Sequence, residues 1–371
     1  MIPFLDLQAV NAPLREELAA ASRRVIDSGW YVLGEEVAAF EQEFAQYCGA
    51  KHCIGVANGL DALTLMLRAA VHLQKLRAGD EIIIPANTYI ATVLAALQAG
   101  LLPRLVEPDA DTHNLCPRKT AAAMTPQTRA IMAVHLYGQA APMPALSALA
   151  AARGLLLFAD AAQAHGAQSG NRPISTFGSG TAFSFYPGKN LGALGDGGAV
   201  VCDDDELAEK IRTLRNYGSA RKYENDLPGI NSRLDELQAA LLRVKLPRLE
   251  ADNARRRRLA KRYAAGINNP WVQTPAMPAE EMSHSWHLFV IRSKWRDKLA
   301  AHLRQAGIGT LIHYPIPPHR QKAFSDTSLA TLSLPLSEQL ANEVLSLPLS
   351  PALSDDEAKQ VIEAVNAFGA E

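Results

Sequence analysis

One lysine, Lys189, stands inside the glycine-rich segment FSFYPGKNLGALGDGG, which covers residues 183–198. A lysine at the surface does not need such surroundings, and each chemistry that does makes a different demand on the neighbouring residues. A GxxxxGK[ST] phosphate loop would place glycine and a hydroxyl residue where this chain has Phe183 and Asn190. No GxGxxG fingerprint follows an aliphatic run and opens a helix. Nucleotide hydrolysis and hydride transfer are therefore disfavoured, and a lysine amine that captures a carbonyl group remains.

Three other residues and a glycine turn agree with the demands of pyridoxal phosphate, a cofactor that such a lysine holds. The ring nitrogen needs a carboxylate, and Asp160 ends the apolar run GLLLFAD, where a parallel strand delivers a side chain to a ligand crevice. The phosphate needs hydroxyl groups and helix N-terminal N–H groups, which Ser184 and the turn NGLDAL (58–63) can supply. Tyr89 can stack on the ring. Their order along the chain favours a cofactor site over a chance arrangement.

Short aliphatic runs alternate with helical stretches over the first 200 residues. Such runs, without polar alternation, are typical of strands buried on both faces. They cover 81–85, 102–108, 129–138, 154–160 and 197–203, and the helical stretches cover 60–76, 88–100 and 143–154. This alternation predicts an α/β fold with a mostly parallel central sheet between helices, and ligands at the carboxyl ends of the strands.

The pattern changes after about residue 230. Residues 233–267 read as one long helix with a kink at Pro247. Proline-punctuated loops follow, and a strand is expected near 286–293. We therefore predict a large cofactor-binding domain over 1–250 and a smaller C-terminal α/β domain over 251–371.

Bulk properties argue against several classes of partner. The chain has 37 basic and 38 acidic side chains, so its formal charge of −1 creates no global field for nucleic acid or an anionic membrane. Its four cysteines lack the paired spacing of a zinc site or a disulfide framework. Residues 82–103 carry no charge, but Pro85 and Gly100 are among the residues that interrupt them. With no signal-peptide pattern at the N-terminus, the sequence predicts a cytoplasmic protein.

Longer motifs carry a resemblance to a known family. DAAQAHGA (160–167), HLYGQ (135–139), RNYGSARKYEND (215–226) and GINSRLDELQAA (229–240) join the lysine segment in closely resembling the DegT/DnrJ/EryC1/StrS family of nucleotide-sugar aminotransferases. The resemblance runs from PFLDL near the N-terminus to IHYPIPPHRQ at 312–321. It implies a homodimer of the aspartate-aminotransferase type, fold type I, with two active sites at the subunit interface.

The resemblance also implies roles for single residues. Lys189 would bond the cofactor covalently, and Asp160 would partner its ring nitrogen; these two are the predicted catalytic residues. Gln163 would bond the ring hydroxyl, Ser184 the phosphate, and the partner subunit's Asn231 the same phosphate. The predicted cofactor-binding residues are Gly59, Leu60, Asp61, Tyr89, Asp160, Gln163, Ser184, Lys189 and Asn231. Many relatives have Ser-Gly-Thr where this chain has Asn58-Gly59-Leu60, so the backbone must replace a hydroxyl contact.

The resemblance places the sugar nucleotide as well. Relatives line its site with an HYPxPxH segment, which contains His313, Tyr314 and His319 in this chain. The predicted substrate-binding residues are Tyr186, Tyr217, Lys222, Tyr223, His313, Tyr314 and His319. We predict no metal.

Lys189 implies transamination, because family members that dehydrate the sugar have histidine at this position. Segments 186–192 and 195–198 resemble those of enzymes acting at C3 of the sugar. The expected reaction moves the amino group of L-glutamate, by way of pyridoxamine phosphate, to a dTDP-linked 3-keto-6-deoxyhexose, giving a 3-amino-3,6-dideoxyhexose. The alternatives are C3 amination of a UDP-linked 3-keto N-acetyl sugar or uronate, amination at C4, and a catalytically silent regulator of the same fold.

Other polar residues have plain structural interpretations. His165 fits a hydrogen-bonded core histidine as well as a catalytic one. His284 and His287 have a spacing that suits a metal, but no carboxylate or cysteine partner is evident nearby. The arginine run 255–258 is expected on a solvated helix face, or near a dimer partner.

Overall fold

The computed structural model describes residues 1–221 and 223–370. The helices are α1 (Leu7–Asn11), α2 (Arg15–Ser28), α3 (Glu35–Cys48), α4 (Gly59–His72), α5 (Ile90–Gln98), α6 (Pro117–Ala123), α7 (Met143–Arg153), α8 (Asp205–Arg215), α9 (Glu236–Lys245), α10 (Leu249–Gly266), α11 (Arg296–Gln305), α12 (Pro335–Glu343) and α13 (Asp355–Asn366). The strands are β1 (His52–Val56), β2 (Glu81–Pro85), β3 (Leu102–Val106), β4 (Thr128–Val134), β5 (Leu156–Asp160), β6 (Gln168–Ser169), β7 (Arg172–Pro173), β8 (Gly180–Ser184), β9 (Gly198–Cys202), β10 (Phe289–Arg292) and β11 (Val344–Leu347).

A seven-stranded sheet with the order β1-β9-β8-β5-β4-β2-β3 forms the centre of the molecule. The neighbours from β8 to β3 pair in parallel, whereas β9 runs antiparallel to both β1 and β8. The aliphatic runs are buried on both faces because helices cover the sheet from two sides. The core on one side includes α4, α5 and α8, and that on the other includes α3 and α9. The predicted mostly parallel α/β sandwich is therefore present.

The C-terminal part of the chain forms a second, two-stranded sheet with its own apolar cluster. The predicted long helix is interrupted by a 3-10 turn at Leu246–Arg248, which contains Pro247, between α9 and α10. Strands β10 and β11 pair antiparallel and pack with α10, α11 and α13 around one apolar cluster. Ile2 also belongs to this cluster, so the start of the chain returns to its C-terminal part. The division at residue 250 stays a prediction.

The uncharged stretch 82–103 forms the rest of β2, a turn, helix α5 and the start of β3. This agrees with the predicted strand, turn and packed helix. Within the described part of the chain, every helix is too short or too polar to cross a membrane.

Candidate active site

A cavity of about 790 Å³ opens where the carboxyl ends of β5 and β8 meet the C-terminal part of the chain. Ten of the predicted site residues line it: Gly59, Leu60, Tyr89, Asp160, Gln163, Ser184, Tyr186, Lys189, His313 and Tyr314. The parallel strands explain this convergence, because their last residues and the loops that follow them lie at one edge of the sheet.

Asp160 is the last residue of β5 and is buried at 7% exposure. The Thr92 hydroxyl donates to its Oδ2 at 2.8 Å, and the Ala162 N–H donates to its Oδ1 at 3.1 Å. Burial raises the pKa of Asp160, and both hydrogen bonds and the positive charge of Lys189 oppose that rise. A buried carboxylate of this kind is stabilised by a cationic group at short range, which a protonated ring nitrogen supplies.

Lys189 lies in the loop that joins β8 to β9. The loop is closed at its base, where the Phe185 N–H donates to Gly197 O and the Ala193 N–H donates to Phe185 O, both at 2.8 Å. Burial lowers the pKa of Lys189 to about 8, with Asp160 acting in the opposite direction. A larger fraction of the amine is therefore neutral near pH 7 than in an exposed lysine, and only the neutral amine attacks a carbonyl carbon.

The glycines of this loop have different reasons to be there. A Cβ on Gly192 would lie 2.3 Å from Pro187 O, so the close turn of the backbone requires glycine. A Cβ on Gly188 would meet its nearest neighbour, in Leu5, at an ordinary 3.4 Å. The loop therefore needs glycine at position 192 for its shape, whereas the contacts at Gly188 would admit a Cβ.

The N-terminus of α4 and Ser184 form a candidate phosphate site. A Cβ on Gly59 would lie only 2.6 Å from Ser184 Cβ, so the helix terminus and the serine touch. Helix α4 has 14 residues, and its free N–H groups attract an anion. The Asn58 side chain caps the helix by accepting from the Asp61 N–H at 2.8 Å. The Asp61 amide, a predicted phosphate donor, is thus already bonded, and Gly59 and Leu60 keep theirs for a ligand.

Hydrogen bonds fix the orientation of the Gln163 amide. Its Oε1 accepts from the Tyr137 N–H at 2.6 Å, and its Nε2 donates to the Tyr314 hydroxyl at 2.9 Å. The Tyr314 ring lies 5.0 Å from that of Tyr89, centroid to centroid. Since Gln163 and Tyr314 both line the cavity, the second N–H of Nε2 can donate to a hydroxyl or phenolate oxygen of a bound ring.

Besides Asp61, four predicted residues of the described chain are not in the cavity lining. Asn231 and Tyr217 are exposed, and Asn231 Nδ2 donates to the Tyr217 hydroxyl at 2.9 Å. Tyr223 is 88% exposed. His319 is buried at 1% exposure, and its Nε2 bonds Glu338 Oε1 at 3.0 Å. The remaining predicted residue, Lys222, lies outside the described residues.

Two residues at the site, one behind Asp160 and one in the cavity wall, were not predicted. Thr92, which bonds Asp160, is in the predicted helix 88–100, but 68 residues separate it from its partner. His287 lines the cavity, and its Nδ1 lies 3.1 Å from Asn190 Oδ1. Asn190 Nδ2 donates to Asn253 and Ser285, so Oδ1 is the acceptor and His287 Nδ1 carries the proton. The segment HSWH, for which no metal was predicted, therefore contributes a cavity residue.

The arginine run corrects one expectation. Arg256 and Arg257 are 4% and 5% exposed, so half of the run is buried and not on a solvated face. Arg256 lines the cavity, whereas Arg257 pairs with Glu250 and lies 3.8 Å from Glu281. Helix α10 packs against the C-terminal cluster and β10, which covers this side of the helix.

The other two histidines that the sequence analysis singled out, His165 and His284, are core residues. His165 is fully buried with both ring nitrogens unpaired and with its ring against Phe183 and Phe185. His284 stacks on Trp286 at 3.7 Å, and its Nδ1 accepts from the Trp286 N–H. Burial lowers the pKa of each to about 3, so both are neutral at pH 7.

The chain is similar in sequence and fold to known proteins. The DegT/DnrJ/EryC1/StrS aminotransferase family matches residues 13–366. A dTDP-3-amino-3,6-dideoxy-alpha-D-galactopyranose transaminase from Aneurinibacillus thermoaerophilus is 52% identical over 369 residues, 100% of both chains. The crystal structure of S. venezuelae DesV in complex with a ketimine intermediate superposes with a TM-score of 0.94 at 49% identity, over 98% of this chain and 97% of that one. Bacillus subtilis NtdA with bound cofactor PMP gives 0.90 at 30% identity, over 98% and 84%.

These matches confirm the predicted family, fold class, enzyme class and cofactor. The chain belongs to the DegT/DnrJ/EryC1/StrS aminotransferase family.

Proposed function

We propose that this aminotransferase moves the amino group of L-glutamate to C3 of a dTDP-linked 3-keto-6-deoxyhexose and so forms a 3-amino-3,6-dideoxyhexose. One observation carries the proposal: the cavity joins Lys189, Asp160 and the Gly59–Ser184 contact in a chain that is 52% identical, end to end, to a transaminase named for a dTDP-linked 3-amino-3,6-dideoxyhexose. Half of all positions agree with that relative, so the same acceptor class is the simplest assignment.

The residues present fit pyridoxal phosphate. Ser184 and the free amides of Gly59 and Leu60 would hold the phosphate, Gln163 the ring hydroxyl and Asp160 the ring nitrogen. When bound, the cofactor supplies an aldehyde carbon for the amino group and a ring that delocalises electrons from the reacting carbon.

Two side chains would act on protons. Lys189, with its pKa lowered to about 8, can hold or release a proton near neutral pH and can therefore serve as the general base at the substrate carbon. Asp160 would keep the ring nitrogen protonated. The Thr92 hydroxyl, itself 2.9 Å from the Thr88 hydroxyl, fixes the orientation of the Asp160 carboxylate.

The sugar nucleotide would lie against the wall of the cavity formed by Tyr186, His313 and Tyr314. The position of His313 is fixed on both sides, because the Tyr137 hydroxyl donates to His313 O at 2.5 Å and Ser346 Oγ lies 2.8 Å from His313 Nδ1. Burial lowers the pKa of His313 to about 4, so it would act as a neutral hydrogen-bonding group.

The protein would work as a homodimer with shared active sites. Asn231 and Tyr217 are exposed and lie away from the cavity of their own chain, so a role at the phosphate requires a second subunit. Tyr223 and Lys222 belong to the same exposed segment and stay proposals as sugar-nucleotide contacts. His319 also stays a proposal as a sugar-nucleotide contact, and its Nε2 is bonded to Glu338.

The test is mass spectrometry of products formed by the glutamate-charged enzyme from 3-keto and 4-keto sugars linked to dTDP or UDP. Amination of the dTDP-linked 3-keto-6-deoxyhexose at the highest rate supports the proposal. Preferential amination of a UDP-linked or a 4-keto sugar would contradict the acceptor and leave the aminotransferase assignment standing.

A further inference from the structure

Arg256 is a buried cation whose hydrogen bonds are incomplete. It is 4% exposed and lines the active-site cavity together with Lys189. Its Nη1 donates to Leu349 O at 2.8 Å and lies near the carbonyl groups of Trp286 and His287. Its Nε is buried and has no hydrogen-bond partner. One edge of the guanidinium is therefore anchored, and the edge that carries Nε is not.

Within the described residues, no carboxylate forms an ion pair with this guanidinium, and the charge of Asp252 acts on it only from a longer distance. Asp252 is one turn earlier on α10. Burial lowers the pKa of Arg256 to about 10, so it still carries its charge at pH 7. A buried cation that lacks an anion is costly for the fold, and such groups are commonly paired or bind a ligand.

The position of Arg256 is tied to the reactive lysine. Asn253, one turn earlier on α10, accepts from Asn190 Nδ2 at 2.8 Å, and Asn190 directly follows Lys189. Lys189 and Arg256 also both line a smaller cavity next to the main one. The helix that carries Arg256 is thus bonded to the loop that carries the reactive lysine.

The other groups in the cavity leave the binding of a substrate anion unassigned. Its phosphate site is at Gly59 and Ser184, and Lys189 is committed to the cofactor under the proposed function. Burial lowers the pKa of His135 to about 3 and of His313 to about 4, so these side chains are neutral at pH 7. Within the described residues that line the cavity, Arg256 is the one permanent cation left to receive a substrate anion.

We propose that Arg256 binds a carboxylate of the amino donor, through the guanidinium edge that contains Nε. An amino acid has a carboxylate directly bonded to its reacting Cα, whereas the sugar ring and the anomeric oxygen separate the diphosphate of the acceptor from its reacting carbon. The planar fork of arginine matches a carboxylate in two parallel hydrogen bonds. The inference rests on the proposed function, because it assigns the donor half of that reaction.

Comparing the half-reaction with L-glutamate and the half-reaction with the amino sugar distinguishes donor binding by Arg256 from its other possible roles. Single-turnover absorption measurements on the holoenzyme follow amino transfer to the cofactor from L-glutamate and, in a parallel experiment, from the dTDP-linked 3-amino-3,6-dideoxyhexose. Loss of a charge-assisted hydrogen bond predicts that Arg256→Met lowers kcat/KM for L-glutamate about 10- to 100-fold, and that for the amino sugar less than about threefold. Arg256→Lys, which keeps the charge and loses the fork, falls between wild type and Arg256→Met.

Arg257→Met is the matched control, because Arg257 is equally buried but has its own acidic partners, Glu250 and Glu281. It should change neither half-reaction selectively. Glutarate, a dicarboxylate without an amino group, gives a second readout by calorimetry: the wild-type holoenzyme binds it, and the Arg256→Lys holoenzyme binds it at least about tenfold more weakly.

Equal losses in both half-reactions, or no loss in either, would overturn the inference. A loss confined to the amino sugar would also overturn it and would assign Arg256 to the diphosphate. If the wild-type enzyme itself reacts with neither donor, the proposed function fails, and unchanged glutarate binding by Arg256→Lys then overturns the inference separately.

Discussion

Replacing Gly59 with alanine should weaken cofactor binding, because the added methyl group would collide with Ser184 at the phosphate site. The new Cβ would start 2.6 Å from Ser184 Cβ and 3.1 Å from Ser184 Oγ. Ser184 Cβ is attached to the backbone of the central strand β8 and cannot swing aside as a long side chain would. The distance between the two carbons must increase from 2.6 Å to an ordinary 3.4 Å, so the helix terminus and the strand must move apart by 0.8 Å.

A displacement of 0.8 Å exceeds the range over which a hydrogen bond keeps its strength, so at least one phosphate contact is lost. Such a charge-assisted bond contributes about 1.5–3 kcal/mol, which predicts a rise of about 10- to 100-fold in the Kd for pyridoxal phosphate. Overpacking should also lower the free energy of unfolding by about 1–3 kcal/mol.

The assay is titration of the cofactor-free protein with pyridoxal phosphate, followed by the visible absorption of the bound cofactor, with denaturant unfolding measured in parallel. Gly369→Ala is the control, because a Cβ there meets nothing within 4 Å. A folded Gly59→Ala protein with the Kd of the wild type would refute the assignment of the phosphate to the Gly59–Ser184 contact.

Three further predictions concern charge and assembly. Asp160→Asn keeps the shape of the side chain but removes its charge, so we expect turnover to fall about 10²- to 10³-fold with cofactor still bound; near-normal turnover in steady-state assays would remove Asp160 from its role. Lys189→Met should stabilise the cofactor-free protein by about 3 kcal/mol at pH 7, because burial lowers the pKa of Lys189 from 10.5 to about 8 and penalises its charged form. This gain should shrink as the pH rises through 8 toward the ordinary pKa of 10.5, and equal gains in urea unfolding at pH 7 and pH 10 would contradict it. If Asn231 acts across the subunit interface, randomly mixed Lys189→Ala and Asn231→Asp chains should regain about a quarter of wild-type activity, since heterodimers contain one intact site; no recovery would place Asn231 in its own subunit's site.

The sequence predicted the parallel strands well, because strands covered on both faces have continuous aliphatic runs. β2 begins and ends where the run EIIIP does, and β5 ends at the predicted Asp160. β1 (HCIGV) and β8 (GTAFS) are less distinctive, since glycine and polar residues break their patterns. β1 pairs only with β9 in this sheet, and β8 pairs with both β5 and β9; no local sequence pattern contains these pairings.

The site was predictable where motif residues meet the cavity directly. Residues that act through a partner were not, because the pairing of Thr92 with Asp160 follows from the packing of α5 against the sheet. Arg256 shows the same limit: four consecutive arginines point in all directions around a helix, and only the tertiary structure decides which are buried. For His319 the motif predicted a contact with the substrate, whereas in the structure its side chain bonds Glu338.

The central claim is that Lys189 holds the cofactor in an aminotransferase site. Borohydride reduction of the holoenzyme, followed by digestion and peptide mass spectrometry, tests it directly by making the bond between lysine and cofactor permanent. We expect the added mass of the reduced cofactor on the peptide that contains Lys189, and we expect treatment with L-glutamate before reduction to remove it. Label on another lysine, or no label on a protein shown to contain the cofactor, would contradict the role of Lys189.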